Sequence, residues 1–118
     1  MKNVTGLVVW QKGIDLVVEI YRLVKKLPKE ENYALSDQMR RAAVSIPSNI
    51  AEGKNRSSDK EFVRFLYIAK GSTAEIETQL FICIKLGYLE QTDIEVAANL
   101  CTEIAKILNT MISNRINS

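Results

Sequence analysis

Seven basic side chains fall between Arg40 and Lys70, against three acidic ones. Cations grouped in this way suit binding chemistry, because mobile positive charges hold phosphate groups without reading bases. The candidates for such contacts are Arg40, Lys54, Arg56, Lys60, Arg64 and Lys70. Groups suited to turnover are missing. The chain contains no histidine, so it has no histidine general base and no Ser-His-Asp triad. It also lacks the Glu-x-x-His pairs that build di-iron centres in helical bundles. No P-loop and no GxGxxG run occurs. Glu75 and Glu77 are two residues apart and face different sides of a helix. The expectation is a protein that is not an enzyme. Cys83 and Cys101 lie 18 residues apart with no CxxC spacing, which argues against zinc. Each falls on an apolar helical face and reads as a reduced, buried, small hydrophobe. No metal and no cofactor is expected.

A second polar pattern lies in the stretch RRAAVSIPSNIAEGKNR, Arg40 to Arg56. Arg41, Ser45, Ser48, Asn49 and Glu52 fall on one line at spacings of three and four. Arg41 and Glu52 are three turns apart, about 16 Å along an axis, and cannot pair within one helix. Glu52 also sits near a helix C-terminus, where the dipole disfavours an anion. It is therefore expected to find a cationic partner elsewhere in the chain or on another subunit. Arg41, Asn49, Glu52, Pro47 and Trp10 are candidates for structural or subunit-interface roles. Arg40, with Lys54 and Arg56, is the group left for a partner.

These residues must be positioned by helices. The 118 residues include only five Gly and two Pro, and they suffice for one domain, 1–118, with one core. Residues 7–27 carry two apolar stripes: Leu7, Trp10, Ile14, Val17, Tyr21 and Val24, then Leu16, Ile20, Leu23 and Leu27. A helix apolar over so much of its circumference must touch more than one neighbour. A second helix is expected over 36–52, with Ser36 as N-cap and Gly53 just past its end. A third spans 59–86, opened by a capping box at Ser58–Glu61 and closed by Gly87. Its interior Gly71, with small residues nearby, suggests close approach of another helix. A fourth spans 93–113, opened by a second capping box at Thr92–Glu95, before a frayed NRINS tail.

Pro47 lies inside the second helix, where it removes a donor and crowds the Ala43 carbonyl. The helix either stops near Ser45 and restarts, or bends. Met39, Ala43, Ile46 and Ile50 keep helical phase through the proline, which favours a continuous helix kinked at Pro47. The expected fold is all-α: an antiparallel, up-down-up-down four-helix bundle.

Charge is unevenly spread. Residues 1–70 carry thirteen basic and eight acidic residues, and residues 71–118 carry three and six. Such asymmetry suits an anionic partner or complementary packing of subunits. No apolar run approaches the length of a membrane span. The N-terminal stretch is interrupted by Gln11, Lys12 and Asp15 and has no cleavage-site pattern. A cytoplasmic location is expected.

The run AVSIPSNIAEG behind an arginine pair resembles the signature of a family of small bacterial proteins. They are four-helix bundles named after the 23S-rRNA intervening sequences that often encode them. Further motifs agree: V-W-Q in the first helix, and P-x-x-E-x-Y-x-L-S-x-Q at Pro28, Glu31, Tyr33, Leu35, Ser36 and Gln38. EF-x-x-FL-x-IA-x-GS follows from Glu61 to Ser72, then E-x-x-TQL from Glu75 to Leu80 and LGYL from Leu86 to Leu89. The resemblance implies a ring-like homopentamer. It also implies kinship with the accessory variability determinant of diversity-generating retroelements, a basic pentameric barrel that binds nucleic acid and its reverse transcriptase.

Two functions compete. One is a non-catalytic homo-oligomer that binds RNA or DNA through a basic surface around the loop joining the second and third helices. The aromatic residues sit mostly on apolar stripes, so base stacking is not expected and binding should tolerate any sequence. The other is a protein-interaction or assembly scaffold without nucleic-acid binding, for which the two-sided first helix argues.

Overall fold

The computed structural model describes residues 2–117. Four long helices carry the chain: α2 at Val8–Val24, α3 at Leu35–Lys54, α4 at Asp59–Lys85 and α5 at Gln91–Ile116. A short helix, α1 at Lys2–Thr5, precedes them, and a 3-10 turn at Lys29–Glu31 links α2 to α3. No strand occurs among the described residues. Each long helix packs on the next, and α2 also packs on α5, so the four close into a bundle. Its extents are 45 × 21 × 20 Å. Met39 meets Cys83, Ser45 meets Ser72, and Gly53 lies against Phe62, so position rises along α3 as it falls along α4. Lys12 reaches Glu103 and Lys26 reaches Asp93 in the same reversed order along α2 and α5.

The core is built from the helical stripes. Leu16, Ile20 and Leu23, then Met39, Ala43, Ile46 and Ile50, are wholly buried. So are Leu66, Ala69, Ile76 and Cys83 on α4, and Ala97, Cys101, Ile104 and Leu108 on α5. Each large aliphatic side chain removed from water in this way stabilises the fold by about 1.5–3 kcal/mol. α2 uses only one of its two stripes for this. Ile14 and Tyr21, on the stripe that begins at Leu7, are exposed, and Trp10 and Val17 are half-buried.

Helix α3 runs unbroken through Pro47. The proline packs against α2 at Gly13, where a β-carbon would stand 3.4 Å from both Ile46 Cγ2 and Pro47 Cδ, in ordinary van der Waals contact.

Several helix ends differ from the sequence expectation, each for a local reason. The first long helix ends at Val24 rather than residue 27, and the chain tightens into i+3 hydrogen bonds before Pro28. Ser36 is not the N-cap of α3: it faces inward and is wholly buried, and the cap position is Ala34. The Glu31 carboxylate does the capping, accepting the Leu35 N–H at 3.3 Å and the Tyr88 hydroxyl at 2.8 Å. Gly53 lies inside α3, not beyond it, because a β-carbon there would come within 2.8 Å of Phe62 and of Phe65.

Ser58 caps α4 as expected, its hydroxyl accepting the Glu61 N–H at 3.2 Å. The Glu61 carboxylate, however, turns to Arg64 instead of completing the box. Gly71 meets nothing within 4 Å, so no helix approaches it closely. Gly87 takes a left-handed φ of 78°. There Tyr88 N–H bonds to Cys83 O and Gly87 N–H to Ile84 O, closing α4 in a Schellman turn. The second box sits two residues earlier than expected, with Asp93 accepting the Glu90 N–H at 2.8 Å. The last long helix continues to Ile116, past the expected end at residue 113, and Arg115 near its end faces Asp59 of α4 at 3.9 Å.

Candidate functional site

Phe62 and Phe65 organise the end of the bundle where α3 passes into α4. Gly53 lets the Phe62 ring and the Phe65 β-carbon press against the last turn of α3. Each ring carries two cations. Lys54 Nζ lies 5.8 Å and the Arg115 guanidinium carbon 4.5 Å from the Phe62 centroid. The Arg56 and Arg64 guanidinium carbons lie 4.9 and 4.4 Å from that of Phe65. Carboxylates balance part of this charge. Glu52 pairs with Arg56 at 3.3 Å, Glu61 with Arg64 at 3.2 Å and Asp59 with Arg115 at 3.9 Å. The hydrogen bond from Arg64 holds the Glu61 carboxyl below the usual glutamate range. Lys60 stands beside this group, lining a shallow cleft with Asp59, Val63, Arg115 and Ile116.

The candidate phosphate contacts are therefore only partly brought together. Lys54, Arg56, Lys60 and Arg64 share one end. Arg40 sits fourteen residues before Lys54 on α3, about 21 Å away along the axis. Its guanidinium donates to the Asn32 carbonyl at 2.9 Å, which ties down the α2–α3 connection. Lys70 stands farther along α4, over the Tyr67 ring at 6.0 Å. Arg115 was missed by sequence reasoning. It lies 51 residues after Arg64, in a polar tail with no periodic signal to place it.

Arg40 and Arg41 stand in different surroundings. Arg41 is exposed and pairs only locally with Asp37, at 3.0 Å, among the interactions of the described residues. Arg40 is the one committed to the fold. Glu52 needs no distant cation, because Arg56 reaches it one turn on as the chain leaves α3. Asn49 is half-buried and donates to the Ser45 carbonyl at 2.7 Å and the Ser45 hydroxyl at 2.9 Å. Ser45 in turn meets Ser72 of α4 at 2.8 Å. This seam secures the backbone beside Pro47.

A second surface lies between the outer faces of α2 and α3. Trp10, Ile14, Val17, Val44, Pro47, Ser48 and Ala51 line an apolar groove of about 290 Å³. It adjoins a cleft at Val17, Val18, Tyr21, Arg22 and Lys25. A polar groove of about 500 Å³ continues past Arg41, Ser45 and Asn49. Val18 is 66% exposed, well beyond what a core-facing position shows. Trp10 and Pro47 are thus beside this groove, as are Arg41 and Asn49, while Glu52 is at the cationic end.

Among the described residues no group of His, Cys, Asp and Glu could hold a metal ion. Both cysteines are free and buried. Burial pushes the Cys83 thiol up to about 11 and the Cys101 thiol up to about 12. Among the described residues no helix is long and apolar enough to cross a membrane.

A four-helix bundle with a cation-bearing end and an apolar outer groove is the class that the fold and these surfaces define. Residues 5–110 match the 23S rRNA-intervening sequence proteins, and the chain belongs to that family. Its fold is similar to the crystal structure of a protein of unknown function from the S23 ribosomal protein family of Bacteroides thetaiotaomicron VPI-5482. The two are 32% identical, with a TM-score of 0.82 over 89% of this chain and 98% of that one. No curated protein matches the chain.

Proposed function

We propose that the protein is a non-catalytic nucleic-acid-binding bundle that works as a cytoplasmic homo-oligomer, a pentamer. The observation that carries this reading is the meeting of Lys54, Arg56, Arg64 and Arg115 on Phe62 and Phe65 at one end of the bundle, with Lys60 beside them. Glu52, Asp59 and Glu61 offset part of the charge. The surface therefore suits moderate, sequence-tolerant binding to a phosphate backbone, repeated around an oligomer. Such binding must weaken steeply with salt, since each neutralised phosphate releases counterions. Affinity for a structured rRNA fragment, measured by anisotropy from about 50 to 200 mM salt, tests this. A log–log slope of several units supports it. No binding at the low-salt end, or binding indifferent to salt, overturns it.

A second reading, an assembly scaffold without nucleic acid, is favoured by the groove between α2 and α3. Exposed Val18, Tyr21 and Val44 beside half-buried Trp10 make a continuous apolar surface of the kind proteins use for association. Both readings share the homo-oligomer and differ in whether the cationic end has a ligand.

A further inference from the structure

Phe65 is only 8% exposed and Phe62 only 5%. Rings so covered have no free face for a nucleobase. What reaches them instead is charge: Arg56 from the connection after α3, Arg64 from α4, Arg115 from the far end of α5 and Lys54 from the last turn of α3. A guanidinium is attracted to an aromatic ring through the ring's quadrupole, and its planar fork remains suited to bidentate contacts with phosphate. A lysine ammonium offers no such fork.

The carboxylates around these arginines are held less firmly. The Glu52 and Glu61 side chains are about half exposed, and pairs of that kind contribute only about 0–1 kcal/mol. The ring contact involves the π system and the carboxylate contact involves the N–H edge. An anion can therefore replace the carboxylate while the ring still holds the cation.

Resting on the nucleic-acid reading above, we propose that Phe65 is a mount presenting Arg56 and Arg64 as neighbouring forks. Together they form a clamp for adjacent phosphates of a nucleic-acid backbone that does not read the bases. Glu52 and Glu61 occupy the forks until the ligand displaces them. Phe65 is a positioning residue, and the two arginines are the ligand contacts. The clamp distinguishes arginine from lysine at equal charge.

The test uses the full chain at about 50 mM salt, with a labelled RNA oligomer and an abasic phosphodiester oligomer of equal length. The wild type is expected to bind both within about twofold, since the phosphates and not the bases are held. Arg56→Lys combined with Arg64→Lys keeps the net charge and is expected to lose roughly tenfold for both oligomers. Phe65→Leu, with helicity checked by circular dichroism, is expected to weaken binding in the same sense. Glu52→Gln with Glu61→Gln should tighten binding more than Glu75→Gln with Glu77→Gln, although both pairs remove the same charge. Unchanged binding by the double-lysine variant, or binding of RNA but not of the abasic oligomer, overturns the clamp and leaves nucleic-acid binding standing. Binding of neither oligomer by the wild type removes both.

Discussion

The two arginines at positions 40 and 41 show how a single residue step decides what a side chain does. They share charge and sequence neighbourhood, yet Arg40 is folded back on the Asn32 carbonyl while Arg41 points to solvent. Periodicity places each on a face of α3, but it does not say which loop returns to cover that face. The cysteines are the opposite case, because their burial follows from the helical stripe alone. With thiols pushed up to about 11 and about 12, neither ionises appreciably near neutrality. At pH 8 a thiol reagent should therefore label the native protein only as fast as it opens, and both sites at once in denaturant. Prompt labelling of either cysteine in buffer would contradict their placement.

At the scale of elements, helix existence was legible and helix ends were not. Stripes such as Met39–Ala43–Ile46–Ile50 depend on local spacing, whereas the ends are settled by distant partners. Glu31 caps α3 while held by Tyr88, and Arg115 near the end of α5 faces Asp59 of α4. The two interior glycines make the contrast testable. Gly53→Ala forces a β-carbon into Phe62 and Phe65 and should cost about 1–3 kcal/mol in denaturant unfolding. Gly71→Ala meets only open space and should stabilise by about 0.5–1 kcal/mol. Destabilisation by the second change would mean that another surface covers that face.

The start of α5 makes a further prediction, about pH. The Glu90 N–H bond, and then Lys26, hold the Asp93 carboxyl below the ordinary aspartate range. A carboxylate with a depressed folded pKa contributes stability above its unfolded value, near 4, and that stability is lost as pH falls through the folded value. Thermal melts from pH 6 to 3 should fall less steeply for Asp93→Asn than for the wild type, from a lower starting point at pH 6. Parallel curves would show that the cap and the Lys26 pair do not contribute to folding.

For the whole molecule, the basic N-terminal and acidic C-terminal halves were visible in composition, but the surfaces they form were not. The cationic end draws on α3, α4 and α5 together, and no local pattern joins those segments. The apolar groove was foreshadowed by the α2 stripe that begins at Leu7, since one helix cannot bury both its faces in a bundle of four. On the proposed homo-oligomer, the wild type should show a light-scattering mass of several chains, and replacing Val18 and Val44 with Glu should leave helicity intact and reduce that mass to one chain. An unchanged multimeric mass in that variant would place the subunit contact elsewhere, and a wild type with the mass of one chain would remove the proposed oligomer.

Arg115 gives the cationic end a place in time as well as in space. Arg56 and Arg64 can settle on Phe65 once the α3–α4 hairpin has formed, but the Phe62 half waits for α5. A ribosome adding about 5–20 residues per second needs several seconds to travel from Arg64 to Arg115. Through that interval a nascent chain carries Phe62 without its second cation. The complete surface therefore first exists only after Arg115 has been made.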